Sequence, residues 1–156
     1  MEKIAVFAGS FCPFTKGHEE IVAKALPLFD KIIIAIGYNI QKQNLFTVEQ
    51  RTQWIHDLYA GNPAVEVTSY TGLTVDLCRR TGARFLIRGL RNAADFLAEQ
   101  EMAAANHCLC PDVETVFLAS SPELSAVSSS LVRELWTFGA DYTPYLSYPL
   151  PDKTQQ

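Results

Sequence analysis

Five short apolar runs punctuate this chain, and a stretch of helical periodicity separates each from the next. The runs are 3–8 (KIAVFA), 31–37 (KIIIAIG), 64–69 (AVEVTS), 83–88 (ARFLIR) and 113–118 (VETVFL). Several are nearly continuous rather than alternating, as expected of strands in a parallel sheet covered by helices on both faces. Between them, Ile21, Val22, Ala25, Leu28 and Phe29 form a helical stripe over 18–29, with Pro27 expected to bend or shorten its last turn. Thr47-Val48-Glu49-Gln50 is a capping box that opens a helix to about Tyr59, with Gly61-Asn62-Pro63 as its stop. Helices over 73–81 and 92–109 follow, the second ended by Pro111, and a last one opens at Ser128-Ser129-Ser130 and stops at Gly139. The alternation predicts an α/β fold: a doubly wound, five-stranded parallel sheet with helices on both faces. No repeat or linker interrupts 1–156, which is expected to be a single domain. The pattern leaves the tail after about 140, with Pro144, Pro149 and Pro151, undetermined.

Composition removes several function classes. With 48% hydrophobic and 19% charged residues the chain is globular, and no window reaches the ~18 apolar residues of a membrane helix. The N-terminal run breaks at Gly9, too early for a signal peptide core. Four cysteines are few for a disulfide framework and suit a reducing compartment, so a cytoplasmic protein without membrane partners is expected. His107-Cys108-Leu109-Cys110 has no second Cys/His cluster to complete a metal site, and no metal-ligating residues are assigned. A net charge of -4 argues against nucleic acid as a partner. Yet five of the thirteen basic residues (Arg79, Arg80, Arg84, Arg88 and Arg91) crowd into thirteen positions, suited to holding a small polyanion.

In an open parallel sheet, strand-to-helix turns emerge at the carboxyl edge, where ligands bind. Three of these turns are chemically rich. In "GSFCPFTKGH", Gly9 and Ser10 let backbone approach a ligand, and Gly17-His18 opens a helix whose free N–H groups favour an anion. It is neither a P-loop nor a dinucleotide fingerprint. In "LIRGLRNAADF", Arg88 is expected to end the fourth strand, Gly89 to allow a sharp turn, and Arg91 to present a second guanidinium. Arg91, Asp95 and Glu99 follow at i, i+4 and i+8. In "VSSSLVREL", three serines at a helix start offer hydroxyls and N–H groups to phosphate, with Arg133 one turn later. Together they predict a phosphate-rich ligand, a nucleotide, across the ends of strands one, four and five.

These three segments resemble the nucleotidylyltransferase superfamily, with its (His/Thr)-x-Gly-His and Ile-Ser-Ser-Ser/Thr-x-x-Arg signatures. Within it they are most similar to the bacterial phosphopantetheine adenylyltransferase family, from about residue 3 to residue 135. The resemblance implies a Rossmann-like fold and adenylyl transfer from ATP to 4'-phosphopantetheine with Mg²⁺. Products would be dephospho-coenzyme A and pyrophosphate, by direct in-line attack without a covalent intermediate. It implies His18 as transition-state stabiliser, with Lys42 and Arg88 also catalytic. ATP would be bound by Ser10, Phe11, His18, Gly89, Leu90, Arg91 and Glu99, and by the segment Leu124, Ser125, Ala126, Val127, Ser128, Ser129 and Ser130. The acceptor would meet Ser10, Lys42, Thr74 and Arg88. A homohexamer and feedback inhibition by coenzyme A are further implications. This chain departs from the family pattern at Cys12, where Asp is usual and is expected to be structural, at Thr74, which replaces a larger apolar residue, and at Leu124, which replaces an aromatic one. Two other functions fit the same loops: nucleotidyl transfer to another small phosphate, and ATP binding without turnover. Thiol chemistry at Cys12-Pro13 lacks a second cysteine in the loop.

Overall fold

The computed structural model describes residues 1–153. β1 (Ile4–Gly9), β2 (Lys31–Gly37), β3 (Val65–Tyr70), β4 (Phe85–Leu90) and β5 (Glu114–Ala119) form one parallel sheet in the order β3-β2-β1-β4-β5. The order reverses between β1 and β4, so the turns leaving those neighbours diverge and open a crevice at the carboxyl edge.

Side chains alternate across the sheet. Ala5 and Phe7 of β1 and Ile32, Ile34 and Ile36 of β2 pack with Ile21, Val22, Ala25 and Ile55 from α1 (Lys16–Ala25) and α2 (Val48–Leu58). On the opposite face, Val6, Ala8, Ile33 and Ala35 pack with Val75, Leu77 and Cys78 of α3 (Thr74–Thr81) and with Cys110, next to α4 (Ala93–Leu109). A third cluster joins Val132 and Trp136 of α5 (Ser129–Thr137) to Cys12, Phe46, Leu146 and Leu150. The tail is thus folded back over the helix-entrance loop. Trp136 Nε1 donates to the Pro151 carbonyl and the Leu150 N–H to the Tyr142 hydroxyl, each at 2.9 Å.

The element ends have local causes. The Thr47–Gln50 box closes both ways, with Thr47 N–H to Gln50 Oε1 at 2.9 Å and Gln50 N–H to Thr47 Oγ1 at 3.1 Å, each such cap worth about 1 kcal/mol. α1 ends at Ala25, before Pro27, so Leu28 lies outside the helix and is 49% exposed rather than on its buried stripe. β4 runs two residues past Arg88, pairing Leu90 with Ala119. Arg88 is therefore inside the strand, and Gly89 makes no sharp turn. A Cβ on Gly89 would lie 3.0 Å from Ile21 Cγ1, so its value is close approach of α1 to the sheet. α4 buries none of its seventeen residues and exposes Phe96, Leu97, Met102 and Leu109. No described helix is long and apolar enough to cross a membrane, and all four cysteines are free.

Candidate active site

A cleft of about 400 Å³ lies over the β1/β4 seam. Three turns build it: Gly9–His18 after β1, Arg88–Glu99 around the end of β4, and Ser120–Arg133 after β5. All three sequence segments thus meet at one place.

The first turn presents His18. Thr15 caps α1: its side chain accepts the His18 N–H at 3.4 Å, while its own N–H donates to His18 Nδ1 at 2.8 Å. In a neutral ring whose Nδ1 accepts, Nε2 carries the proton and is the donor. The imidazole stacks on Phe14 at 5.1 Å and meets the edge of Phe11 at 5.0 Å. Burial, reinforced by Arg88 and Arg91, lowers its pKa to about 3. The ring is thus an uncharged N–H donor at neutral pH. Phe11 takes a left-handed backbone (φ 46°) and is 4% exposed, so its side chain is turned into the core and only its backbone is open to the cleft. Its ring fills the space above Gly9, where a Cβ would come within 2.9 Å of it.

The second turn contributes two arginine–carboxylate pairs. Arg88 donates to both Glu99 oxygens, at 2.7 and 2.6 Å, and to the Ala8 carbonyl at 2.6 Å. Three of a guanidinium's five N–H groups are then used and two remain for a ligand. This resolves the cost of an arginine inside an apolar strand. Arg91 precedes α4 rather than riding on it. Its N–H and guanidinium close on Asp95 at 2.9–3.3 Å, and Arg91 holds the Asp95 carboxyl below its usual range. Asp95 and Glu99, one turn apart on α4, are therefore each paired with a different arginine.

The third turn carries the serines. Ser128 caps α5, accepting the Leu131 N–H at 3.1 Å. Ser129 donates to the Pro13 carbonyl at 2.7 Å, and Arg133 donates to the Cys12 carbonyl at 2.7 Å and to Ser130 at 3.1 Å. Glu20 of α1 holds the turn, accepting the Ser121 N–H at 2.7 Å and the Ser121 hydroxyl at 2.5 Å. These bonds hold the Glu20 carboxyl below its usual pKa.

Ser10, Phe11, His18, Arg88, Gly89, Arg91, Glu99, Leu124, Val127, Ser128, Ser129 and Ser130 line the cleft, as do Asp95 and Arg133. Leu90, Ser125 and Ala126 stand outside its lining. Lys42 does too: it is exposed in the loop between β2 and α2. Thr74 lines a separate cavity of about 30 Å³ on the far side of the Arg88–Glu99 pair, with Met102 and Asn106. Its hydroxyl meets Tyr70 Oη at 2.7 Å. Cys12 does not face the cleft: it is 3% exposed and packs in the tail cluster. Sequence reasoning missed Arg51, which is 2% exposed and donates to the carbonyls of Phe46, Thr47 and Ser10 at 3.2, 3.3 and 2.5 Å. Its partners are backbone oxygens, for which no residue type is a signal. Among the described residues no three His, Cys, Asp or Glu side chains converge to hold a metal ion.

A cytidylyltransferase-like family profile matches residues 6–135. A phosphopantetheine adenylyltransferase from Cytophaga hutchinsonii is 47% identical over 150 residues, 96% of this chain and 100% of that protein. One from Porphyromonas gingivalis is 50% identical over 145 residues, 93% of this chain and 94% of that one. A solved structure, a bifunctional NMN adenylyltransferase/ADP ribose pyrophosphatase from Francisella tularensis, has a TM-score of 0.73 at 21% identity. It covers 97% of this chain, which spans only 46% of that longer protein, and it speaks to the fold alone. Fold, family profile and relatives together place the chain among the Rossmann-like nucleotidyltransferases. Within that class the chain belongs to the phosphopantetheine adenylyltransferase family.

Proposed function

We propose that this chain transfers the adenylyl group of ATP to 4'-phosphopantetheine, giving dephospho-coenzyme A and pyrophosphate. The observation that carries the reaction is the meeting of the α1 entrance, Arg88 and the serine turn in one crevice, in a chain whose relatives of that name align over nearly its whole length. The acceptor phosphate brings its own nucleophilic oxygen, so the protein's work is alignment and charge stabilisation. His18 Nε2–H donates to the α-phosphate as charge builds, and the serine turn and Arg91 hold the remaining phosphates and the nucleoside. Arg88 meets the acceptor phosphate with its two remaining N–H groups. The pantetheine arm then runs toward Thr74, where a cavity of about 30 Å³, water-sized, must widen around the Arg88–Glu99 pair. Lys42 reaches the phosphates by movement of its exposed loop.

Both carboxylates of the cleft are engaged by arginines. That suits Mg²⁺ arriving as MgATP, held by phosphate oxygens and water. No cleft-lining residue is a thiol, consistent with direct transfer. Because Cys12 is turned away from the cleft, Cys12→Asp is expected to alter kcat by less than about 10-fold in steady-state kinetics, its cost falling instead on stability, since a carboxylate enters an apolar cluster.

The test of the reaction is pyrophosphate release and product analysis with MgATP and 4'-phosphopantetheine, nicotinamide mononucleotide or glycerol phosphate. Dephospho-coenzyme A formed with the first alone is expected, and transfer only to another acceptor would overturn it. Coenzyme A, which shares the product's skeleton, is expected to compete in that assay, and free thiols suit a cytoplasmic location. We further propose a hexamer, supported by the exposed Phe96, Leu97, Met102 and Leu109 on α4. Light scattering should give about six times 17.4 kDa, and Leu97→Glu should lower it, since burying an unpaired charge is costly. A monomeric mass for the unaltered chain would overturn it.

A further inference from the structure

Four carbonyls of the helix-entrance loop are held by side chains from distant elements. Ser10 is held by Arg51 of α2, Cys12 by Arg133 and Pro13 by Ser129 of α5, and Phe14 by Tyr148 of the tail. The last of these differs in kind from the others. Tyr148 Oη donates to the Phe14 carbonyl at 2.6 Å, and the N–H of the same peptide group, on Thr15, donates to His18 Nδ1 at 2.8 Å. A peptide group is rigid and planar, so fixing its carbonyl direction fixes the direction of its N–H. Hydrogen bonds in series also polarise one another.

We infer that Tyr148 is a positioning residue for His18, acting through the Phe14–Thr15 peptide. It aims the Thr15 N–H at Nδ1 and thereby keeps the ring in the tautomer whose Nε2–H faces the cleft. The phenol is itself firmly placed. It stacks on Trp54 at 5.4 Å and 27°. Its neighbour Ser147 donates to Glu19 Oε2 at 2.6 Å. Burial pushes the phenol pKa up, so the hydroxyl remains a donor at any working pH. No described residue of the tail lines the cleft; the influence of Tyr148 on chemistry passes through the peptide.

The inference rests on the catalytic role proposed for His18, and the test separates the two. Tyr148→Phe removes only the hydroxyl and keeps the ring on Trp54. Its kcat is expected to fall about 10-fold with the KM for ATP within about 2-fold, as for a catalytic group slightly misplaced. In a His18→Ala background the same change should alter kcat by less than about 2-fold, because the residue it positions is gone. The direct readout is ¹⁵N NMR of labelled histidines, three per chain, with His18 identified by its loss in His18→Ala. The unaltered protein should show one tautomer with Nδ1 unprotonated, and Tyr148→Phe should shift the Nδ1 resonance. An unshifted resonance, or an equal loss of kcat in both backgrounds, overturns the inference. If His18→Ala itself retained full turnover, the proposed role of His18 would fail, while the ¹⁵N spectrum would still decide whether Tyr148 governs the ring.

Discussion

Turnover of His18→Ala is expected to fall about 10²- to 10³-fold, the loss typical of removing one preorganised donor to a developing oxyanion. The KM for ATP should change far less, because the donor acts most strongly on charge that appears only in the transition state. The ring is uncharged from neutral pH down to about 3, so the kcat profile of the unaltered protein should show no inflection near 6.5 from this residue. Stability gives a second readout. The unfolded imidazole binds a proton near pH 6.5 and the folded one only near 3. The unfolded state therefore holds more protons across that window, and stability declines as pH falls through it. His18→Ala removes this contribution, so its urea midpoint should drop less between pH 6.5 and 4 than that of the unaltered protein. An unchanged kcat would assign the α-phosphate to another donor.

Arg88→Met should act on the acceptor. Two N–H groups of Arg88 are free for a ligand once Glu99 and Ala8 are served, and a lost charge-assisted contact of this kind costs about 10²-fold in apparent affinity. The KM for 4'-phosphopantetheine should rise by about that factor, with a smaller change for ATP. The variant should also unfold more easily, since Glu99, whose side chain is 17% exposed, loses its bidentate partner. With Arg88 itself 31% exposed, the cost is about 1–3 kcal/mol, below that of a fully buried pair. Glu99→Gln provides the contrast: it leaves Arg88 charged and without its carboxylate partner, open to the acceptor phosphate, so its acceptor KM should not rise as in Arg88→Met. An unmoved acceptor KM in Arg88→Met would reduce the arginine to a structural ion pair.

Strand and helix order were legible because apolar runs and caps are local signals. The Thr47–Gln50 box and the Ser128 cap closed where the residue types implied. The ends of β4 were less so: its apolar run stops at Arg88, but backbone pairing to β5 continues because Glu99, eleven residues away, satisfies the charge. The three phosphate-directed segments were readable as types, and their meeting followed from the rule for parallel sheets. The supporting shell was not. Arg51 sits on an amphipathic helix where arginine ordinarily faces water, and its burial depends on three carbonyls that any sequence would supply. Tyr148 lies in a proline-broken tail with no periodicity, and only the folded chain shows what its hydroxyl meets.

The bond from Tyr148 to Phe14 spans 134 positions, and this has a consequence for how the protein comes into being on the ribosome. The helix-entrance loop leaves the ribosome well before one of its constraints, which follows 134 residues later. A nascent chain that has already paired β1 with β2, and later β4 with β5, still has a loosely aimed His18 until residue 148 clears the exit tunnel. Competence for transfer should therefore reach its full value only after residue 148 has emerged, rather than as soon as the sheet is laid down.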